Sequence, residues 1–154
     1  MKKLIYRTNT APPIRALPSS EYRFFVVDDL RTLARHAPTI LMTNGLIAGL
    51  RTLVKIVTPS RAYYVVVKQG RIVSDGWIMF GHCRAYPIGR EDHIIGPIHT
   101  VPEERGKGLA VAALASGVRY CLSRRARYVY IDTDESNHAS QAAIAKVGMQ
   151  IVPK

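Results

Sequence analysis

Two glycines and two cations stand together in the segment Arg105-Gly106-Lys107-Gly108, immediately before a run of small apolar residues. The pattern around it predicts a strand before this segment and a helix that begins at Gly108. The first backbone N–H groups of a helix have no partner within the helix, and together with the helix dipole they attract anions. Glycines let a phosphate approach the backbone closely. The segment therefore predicts a phosphate-binding turn.

The turn matches neither of the two most familiar nucleotide-binding patterns. The chain has no GxxxxGKS or GxxxxGKT sequence, and Val111 stands where the third glycine of GxGxxG would fall. A nucleoside triphosphate or a dinucleotide is therefore disfavoured as the ligand. On these residues alone, a helix start with a solvated basic rim and no ligand is an equally good interpretation.

A second segment, NHASQAAIAKVGM, predicts a helix that begins with polar side chains and ends at Gly148. Together with TVPEERGKGLA it resembles the two signature segments of the GNAT superfamily of acyl-CoA-dependent N-acetyltransferases. The matching residues are Arg105, Gly108 and Ala110 in the family's pyrophosphate loop, and Asn137, Ser140, Lys146, Gly148 and Met149 in its later helix. The resemblance implies an enzyme that transfers an acetyl group from acetyl-CoA directly to a primary amine, without a metal ion.

The resemblance also implies which residues bind acetyl-CoA. The strand that ends at Thr100 would splay from its neighbour and pair with the pantetheine arm, the turn would hold the pyrophosphate, and Asn137 would bind near the thioester. A helix N-cap is the other interpretation of Asn137. The implied cofactor-binding residues are Ile98, His99, Thr100, Arg105, Gly106, Lys107, Gly108, Leu109, Ala110 and Asn137.

Acetyl transfer also needs a base for the amine and an acid for the departing thiolate. Ile144 stands where many family members carry a tyrosine acid, and Ile144 has no proton to donate. The resemblance implies Ser140 as the acid instead, because a branch that acetylates ribosomal-protein N-termini carries a serine there. It implies Asp132 as the base. Ser140 as a small packing residue, and a water relay in place of a dedicated base, remain alternatives.

His99 is a further candidate for the base. Other family members carry Glu or His at the positions of Ile94 and Gly96. Neither isoleucine nor glycine has a side chain that can act as a base. Strand alternation turns His99 to the opposite side from those positions, unless the Gly96-Pro97 interruption forms a bulge that resets the register.

The remaining sequence predicts the elements that position these residues. Strands are expected over YRFFVV, RAYYVVVK, RIVSDGWIMFGH, HIIGPIHTV, RYVYID and MQIVPK. Besides the two helices above, we expect one from Asp28 or Asp29 to about His36, stopped before Pro38, and one from Thr43 or Asn44 to Val57. This order indicates a mixed α/β fold with a mostly antiparallel sheet, in one domain over residues 1–154.

The C-terminus bears on how the sheet ends. GNAT proteins usually continue through two strands after the position of Gly148, whereas MQIVPK is long enough for one. The edge of RYVYID would then be open, which proteins normally avoid. We expect a second subunit, or the N-terminal arm over residues 1–20, to cover that edge.

The chain is strongly basic, with 22 Lys and Arg against 11 acidic residues and a formal net charge of +11. This excess favours an anionic acceptor, such as a nucleotide-linked amino sugar, an RNA-associated amine or a ribosomal N-terminus. A non-catalytic nucleic-acid-binding protein is the competing class. Its basic and aromatic surface would comprise Arg119, Tyr120, Arg124, Arg125, Arg127, Tyr128 and Tyr130.

The sequence also carries expectations about location and metals. The N-terminus lacks the pattern of a signal peptide, and the apolar run from Leu109 to Val118 is too short to span a membrane. Cys83 and Cys121 lack metal-ligand spacing. We therefore expect a cytoplasmic protein with reduced thiols, no membrane partner and no metal.

Overall fold

The computed structural model describes residues 2–153, which contain seven strands and four α-helices. The strands are β1 (Lys3–Thr8), β2 (Tyr22–Val27), β3 (Arg61–Lys68), β4 (Arg71–Phe80), β5 (His93–Thr100), β6 (Val129–Asp134) and β7 (Gln150–Ile151). The helices are α1 (Leu30–Asn44), α2 (Leu46–Ile56), α3 (Leu109–Ser123) and α4 (His138–Lys146), and a short 3-10 helix covers Pro102–Glu104.

All seven strands form one sheet in the order β2-β3-β4-β5-β6-β1-β7. Every neighbouring pair is antiparallel except β5 and β6, which are parallel. The parallel pair is joined through α3, as a crossover between parallel strands requires. The predicted mixed, mostly antiparallel α/β fold is therefore confirmed.

Helices cover both faces of the sheet, and alternate residues of β3 show which helices lie where. Tyr63 and Val65 pack with Ile40 of α1 and Ile56 of α2. Tyr64 and Val66 belong to the larger core that contains the buried side of α3. We call these two sides the α1–α2 face and the α3 face.

The first helix differs from its prediction. It begins at Leu30, where the Asp29 side chain accepts a hydrogen bond from the Thr32 backbone N–H, but it continues through Pro38 to Asn44. Proline removes one backbone hydrogen bond and disfavours the helical conformation of the residue before it. Burial of His36 and Ile40 on either side of Pro38 stabilises the continued helix.

The N-terminal strand supplies the edge that the sequence left open. β1 pairs antiparallel with β6 over its full length, from Lys3 opposite Asp134 to Thr8 opposite Val129, and β7 then pairs with β1. Of the two predicted covers for this edge, the chain's own N-terminus is the one present. β1 therefore occupies the edge of β6 for which a second subunit was the other predicted cover.

Candidate active site

The centre of the sheet opens into a cleft. β5 and β6 pair only at His93–Val129 and Ile94–Tyr130, after which β6 continues along β1 while β5 stays with β4. The strands diverge and leave a cleft of about 590 Å³. Its walls come from the second half of β5, the turn before α3, the first part of α3, Ile131 of β6 and one side of α4. The predicted splay is therefore present.

Nine of the ten predicted cofactor-binding residues line this cleft. They are Ile98, His99, Thr100, Arg105, Gly106, Gly108, Leu109, Ala110 and Asn137. Residues predicted from two distant parts of the sequence thus line the same cleft.

The turn before α3 has the geometry of an anion cradle. Gly106 and Gly108 have φ angles of +77° and +81°, a conformation that favours glycine. A Cβ built at either position would meet no atom within 4 Å, so the backbone faces open space. Arg105 is anchored beside it, since its Nε donates to the Thr100 carbonyl at 3.0 Å. The turn therefore presents backbone and guanidinium N–H groups to the cleft.

Lys107, the tenth residue, is held in a different place. Its Nζ lies 2.9 Å from Oε2 of the buried Glu104, which also accepts from the Tyr22 hydroxyl at 2.6 Å and from Lys68 at 3.0 Å. These three donors, Tyr22 foremost, lower the pKa of Glu104 to about 2. Lys107 therefore bonds Glu104, which connects the turn to β2 and β3, and Lys107 does not line the cleft. Sequence reasoning missed Glu104, although an acid directly before a cationic turn was a visible signal.

Asn137 and Ser140 meet at the first turn of α4. Asn137 is the N-cap, and its side-chain oxygen accepts from the Ser140 backbone N–H at 3.0 Å. Both residues also line the cleft, together with the buried Ile144. The cap uses only the backbone of Ser140, so its hydroxyl is left for the cleft. Capping and ligand contact are thus compatible roles for this pair.

Asp132 lies away from the cleft. Buried Ile131 faces the cleft, so alternation along β6 turns Asp132 toward the α1–α2 face. There its carboxylate forms an ion pair and hydrogen bond with Lys3, and this bond is the main cause of the raised pKa of Lys3. Asp132 therefore links β6 to the N-terminal strand.

A bulge in β5 decides where His99 points. Gly76 lies opposite Ile98 but Ile78 lies opposite Ile95, so two residues, Gly96 and Pro97, face the single residue Trp77. The extra residue resets the alternation, so His99 lies on the same side of the sheet as Ile94, a position at which other family members carry Glu or His. His99 stands directly opposite Asp75 of β4 on the α1–α2 face.

Asp75 and Tyr63 are further site residues that the sequence did not reveal. The Tyr63 hydroxyl donates to Asp75 Oδ2 at 2.5 Å. Burial raises the pKa of Asp75 above its ordinary value of 3.8, while the Tyr63 bond and nearby His99 act in the opposite direction. Nothing in RIVSDGW marks this carboxylate, because its importance depends on the strand register.

Three of the seven residues predicted for a nucleic-acid-binding surface bond other groups within the chain. Arg119 donates to the Pro12 carbonyl at 2.9 Å. Tyr120 and Arg124 both bond Asp28, at 2.6 and 3.3 Å. Tyr130 lies on β6 and Tyr128 directly before it, apart from these α3 contacts. The three bonded residues are therefore held by the rest of the chain.

Residues 2–153 contain no group of three or more His, Cys, Asp or Glu that could hold a metal ion. Among the same residues, no helix has the length and apolarity needed to cross a membrane.

Comparison with known proteins agrees with this geometry. The model of the acetyltransferase (GNAT) family matches residues 27–149. A Bacillus subtilis (strain 168) protein, provisionally named ribosomal protein bS18-alanine N-acetyltransferase, is 32% identical over 92 residues, which cover 60% of this chain and 56% of that protein. The chain thus aligns with little more than half the length of this relative.

Solved structures share the fold at low sequence identity. The aminoglycoside N-acetyltransferase AAC(6')-Iy in complex with CoA has a TM-score of 0.63 at 17% identity, covering 88% of this chain and 92% of that one. A predicted acetyltransferase with acetyl-CoA from Clostridium acetobutylicum has a TM-score of 0.55 at 17% identity, covering 86% and 91%. The family match spans most of the chain, and the cleft between β5 and β6 holds both of its signature segments: the chain belongs to the GNAT family of acetyltransferases.

Proposed function

We propose that this protein is an N-acetyltransferase that moves the acetyl group of acetyl-CoA to a primary amine by direct attack. The observation that carries the proposal is the meeting of the splayed strand, the glycine turn and the start of α4 around one cleft. Each wall supplies a different contact that acetyl-CoA needs, and the family match spans all three.

The cofactor would enter this cleft with its pyrophosphate on the turn. The N–H groups around Gly106 and Gly108, the α3 dipole and Arg105 supply the positive potential. Past Ile94, the β6-facing edge of β5 has no strand partner, so its backbone groups are available to the amides of the pantetheine arm. Asn137 borders the same space from the side of α4.

The chemistry requires that the amine loses a proton and that the CoA thiolate gains one. Ser140 is the proposed donor to the thiolate, because it lines the cleft and its hydroxyl is not used by the cap. Asp132, the base implied by the resemblance, lies outside the cleft with Lys3.

The first acceptor to test is a protein N-terminus that begins with alanine. The Bacillus subtilis relative is named for that activity, and it is 32% identical to this chain over 92 residues. Nucleotide-linked amino sugars and RNA-associated amines are the alternative acceptors, since the net charge of +11 also suits an anionic acceptor. The two cysteines are free thiols, which fits a cytoplasmic location.

A panel of amines screened for CoA release tests the proposal. Peptides beginning with alanine, a nucleotide-linked amino sugar and an aminoglycoside would each be mixed with the protein and acetyl-CoA, and free thiol would be measured. Amine-dependent release for at least one class is expected. Acetyl-CoA that neither raises the melting temperature nor releases thiol with any amine would overturn the proposal. Steeply salt-dependent oligonucleotide binding in its place would favour the nucleic-acid-binding class.

A further inference from the structure

We infer that His99 takes the proton from the acceptor amine and that Asp75, held by Tyr63, positions it. The inference rests on the proposed function and adds the residues that handle the proton. His99 is exposed and belongs both to the cleft and to the α1–α2 face, and Asp75 stands directly opposite it. Side chains of residues directly opposite in an antiparallel pair have Cβ atoms about 4.5–5.5 Å apart.

The carboxylate is fixed from its other side. The Tyr63 hydroxyl donates to Asp75 Oδ2, and the Tyr63 ring packs on Trp77 with centroids 4.7 Å apart. Tyr63 is buried in the core with α1 and α2, so its position is determined by packing. Two further polar groups lie beside the bonded pair of Tyr63 and Asp75. His99 of β5 is near Asp75, and Asn44 at the end of α1 is close enough to Tyr63 to bond it.

The arrangement has the form of a base with an orienting group behind it. A carboxylate beside an imidazole stabilises the imidazolium that forms when the ring accepts a proton. Tyr63 of β3 bonds Oδ2 of the carboxylate, which leaves Oδ1 for His99 on the opposite neighbouring strand. The exposed His99 is then the group that meets the acceptor.

The step balances without a further reagent. The amine nitrogen attacks the thioester carbonyl carbon, a C–N bond forms, and the C–S bond breaks with its electron pair on sulfur. One proton passes from the amine nitrogen to His99, and one reaches the thiolate either from solvent or from Ser140, which regains a proton from water. The products are the N-acetylated amine and CoA, and His99 returns its proton to water.

The test uses the full chain, acetyl-CoA, and either an alanine-initiated peptide or the panel amine with the fastest CoA release. We expect His99→Ala to lower kcat by roughly 10²-fold, within the range of general base contributions, and added imidazole to restore part of the rate. Asp75→Asn is expected to lower kcat by about 10-fold, and the double variant to be no slower than His99→Ala, because Asp75 acts through His99. Acetyl-CoA should still raise the melting temperature of each variant.

Matched controls separate this role from a structural one. Asp28→Asn changes a second tyrosine–carboxylate bond, that of Tyr120 to Asp28 at 2.6 Å, and should leave kcat unchanged. His82→Ala removes another exposed imidazole, in the loop after β4. A His99→Ala protein that keeps at least half the wild-type kcat, or additive losses in the double variant, would overturn the inference. A loss in Asp132→Asn, with no imidazole rescue of His99→Ala, would assign the base to Asp132. Wild-type protein without amine-dependent CoA release would instead overturn the proposed function itself.

Discussion

Tyr6 of β1 lies directly opposite Ile131 of β6, the residue that forms the β6 wall of the cleft. The Tyr6 side chain is buried in the core on the α3 face. The N-terminal strand therefore does two things at once: it closes the edge of β6 and supports a wall of the site. Loss of β1 should affect stability and the cleft together.

Removing the Tyr6 ring tests the contribution of β1 to stability. Tyr6→Ala should lower the free energy of unfolding by about 3 kcal/mol, because it leaves a cavity under the sheet. Urea denaturation would measure the change. Ile14→Ala is the control, since Ile14 lies in the same N-terminal segment but is 79% exposed. Equal stabilities for the two variants would show that β1 does not hold the edge in solution.

The anion cradle predicts how acetyl-CoA responds to a side chain at Gly108. At 100-fold excess over its Kd, acetyl-CoA should raise the wild-type melting temperature by roughly 5–10 °C. Gly108→Glu should abolish this rise, because a carboxylate would occupy the open space before the turn and repel the pyrophosphate. Gly70→Glu carries the same backbone cost, at φ +75° in the β3–β4 turn, and should keep the rise. A normal shift in folded Gly108→Glu would remove the turn from the binding site.

Ser140 should matter for turnover and not for cofactor affinity. Ser140→Ala keeps the N-cap of α4, because Asn137 bonds the backbone of residue 140. We expect kcat to fall by roughly 10²-fold with little change in the acetyl-CoA Kd. Ser116→Ala is the matched control, a half-buried serine on α3 that does not line the cleft. Wild-type kcat for Ser140→Ala between pH 6 and 9 would leave solvent as the acid.

The fold was largely predictable because its signals are local. The β3–β4 hairpin, the break in β5 and the start of α3 were all predicted from alternation, glycine and proline, since those patterns act over a few residues. β1 was missed because KLIYRT becomes a strand only by pairing with residues more than a hundred positions away. The continuation of α1 past Pro38 was missed for the same reason, since burial of Ile40 outweighs the local cost of proline.

The site divides in the same way. The turn and the start of α4 carry their chemistry in contiguous residues, so their types and spacing were informative. Asp75 became visible only when the bulge at Gly96-Pro97 placed His99 opposite it. The role of Glu104 was not predictable, because its partners Tyr22 and Lys68 reach the turn from the distant strands β2 and β3.

The buried Glu104 predicts a pH dependence of stability. Its pKa of about 2 in the folded chain lies below its ordinary value of 4.5, so ionised Glu104 stabilises the fold at pH above about 4.5. That contribution is lost as the pH falls toward 2. Glu104→Gln should therefore have a lower urea midpoint than wild type at pH 7, and the difference should shrink between pH 5 and 3. Glu103→Gln, an exposed neighbour, should match wild type throughout. A difference that does not change with pH would exclude the ionised network as its source.

We expect the change from glycine to alanine to have opposite effects on stability at two glycines that pack closely against the core. Gly76 lies opposite Ile98 at the β5 bulge, and a Cβ there would lie 2.5 Å from the ring of the fully buried Tyr64. Gly76→Ala should therefore lower the free energy of unfolding by about 2 kcal/mol, because Tyr64 has no room to move. It should also weaken acetyl-CoA binding, since Ile98 lines the cleft.

Gly117 of α3 provides the comparison. Its Cβ would lie 3.1 Å from Cδ1 of Ile95, the end of a flexible side chain that can shift slightly. Alanine also favours a helix interior over glycine by about 1 kcal/mol. Gly117→Ala should therefore match or exceed wild-type stability and leave the acetyl-CoA thermal shift unchanged. Urea midpoints and thermal shifts for both variants would check the pair. A Gly76→Ala protein as stable as Gly117→Ala would mean that the Tyr64 ring can move away from a Cβ at position 76.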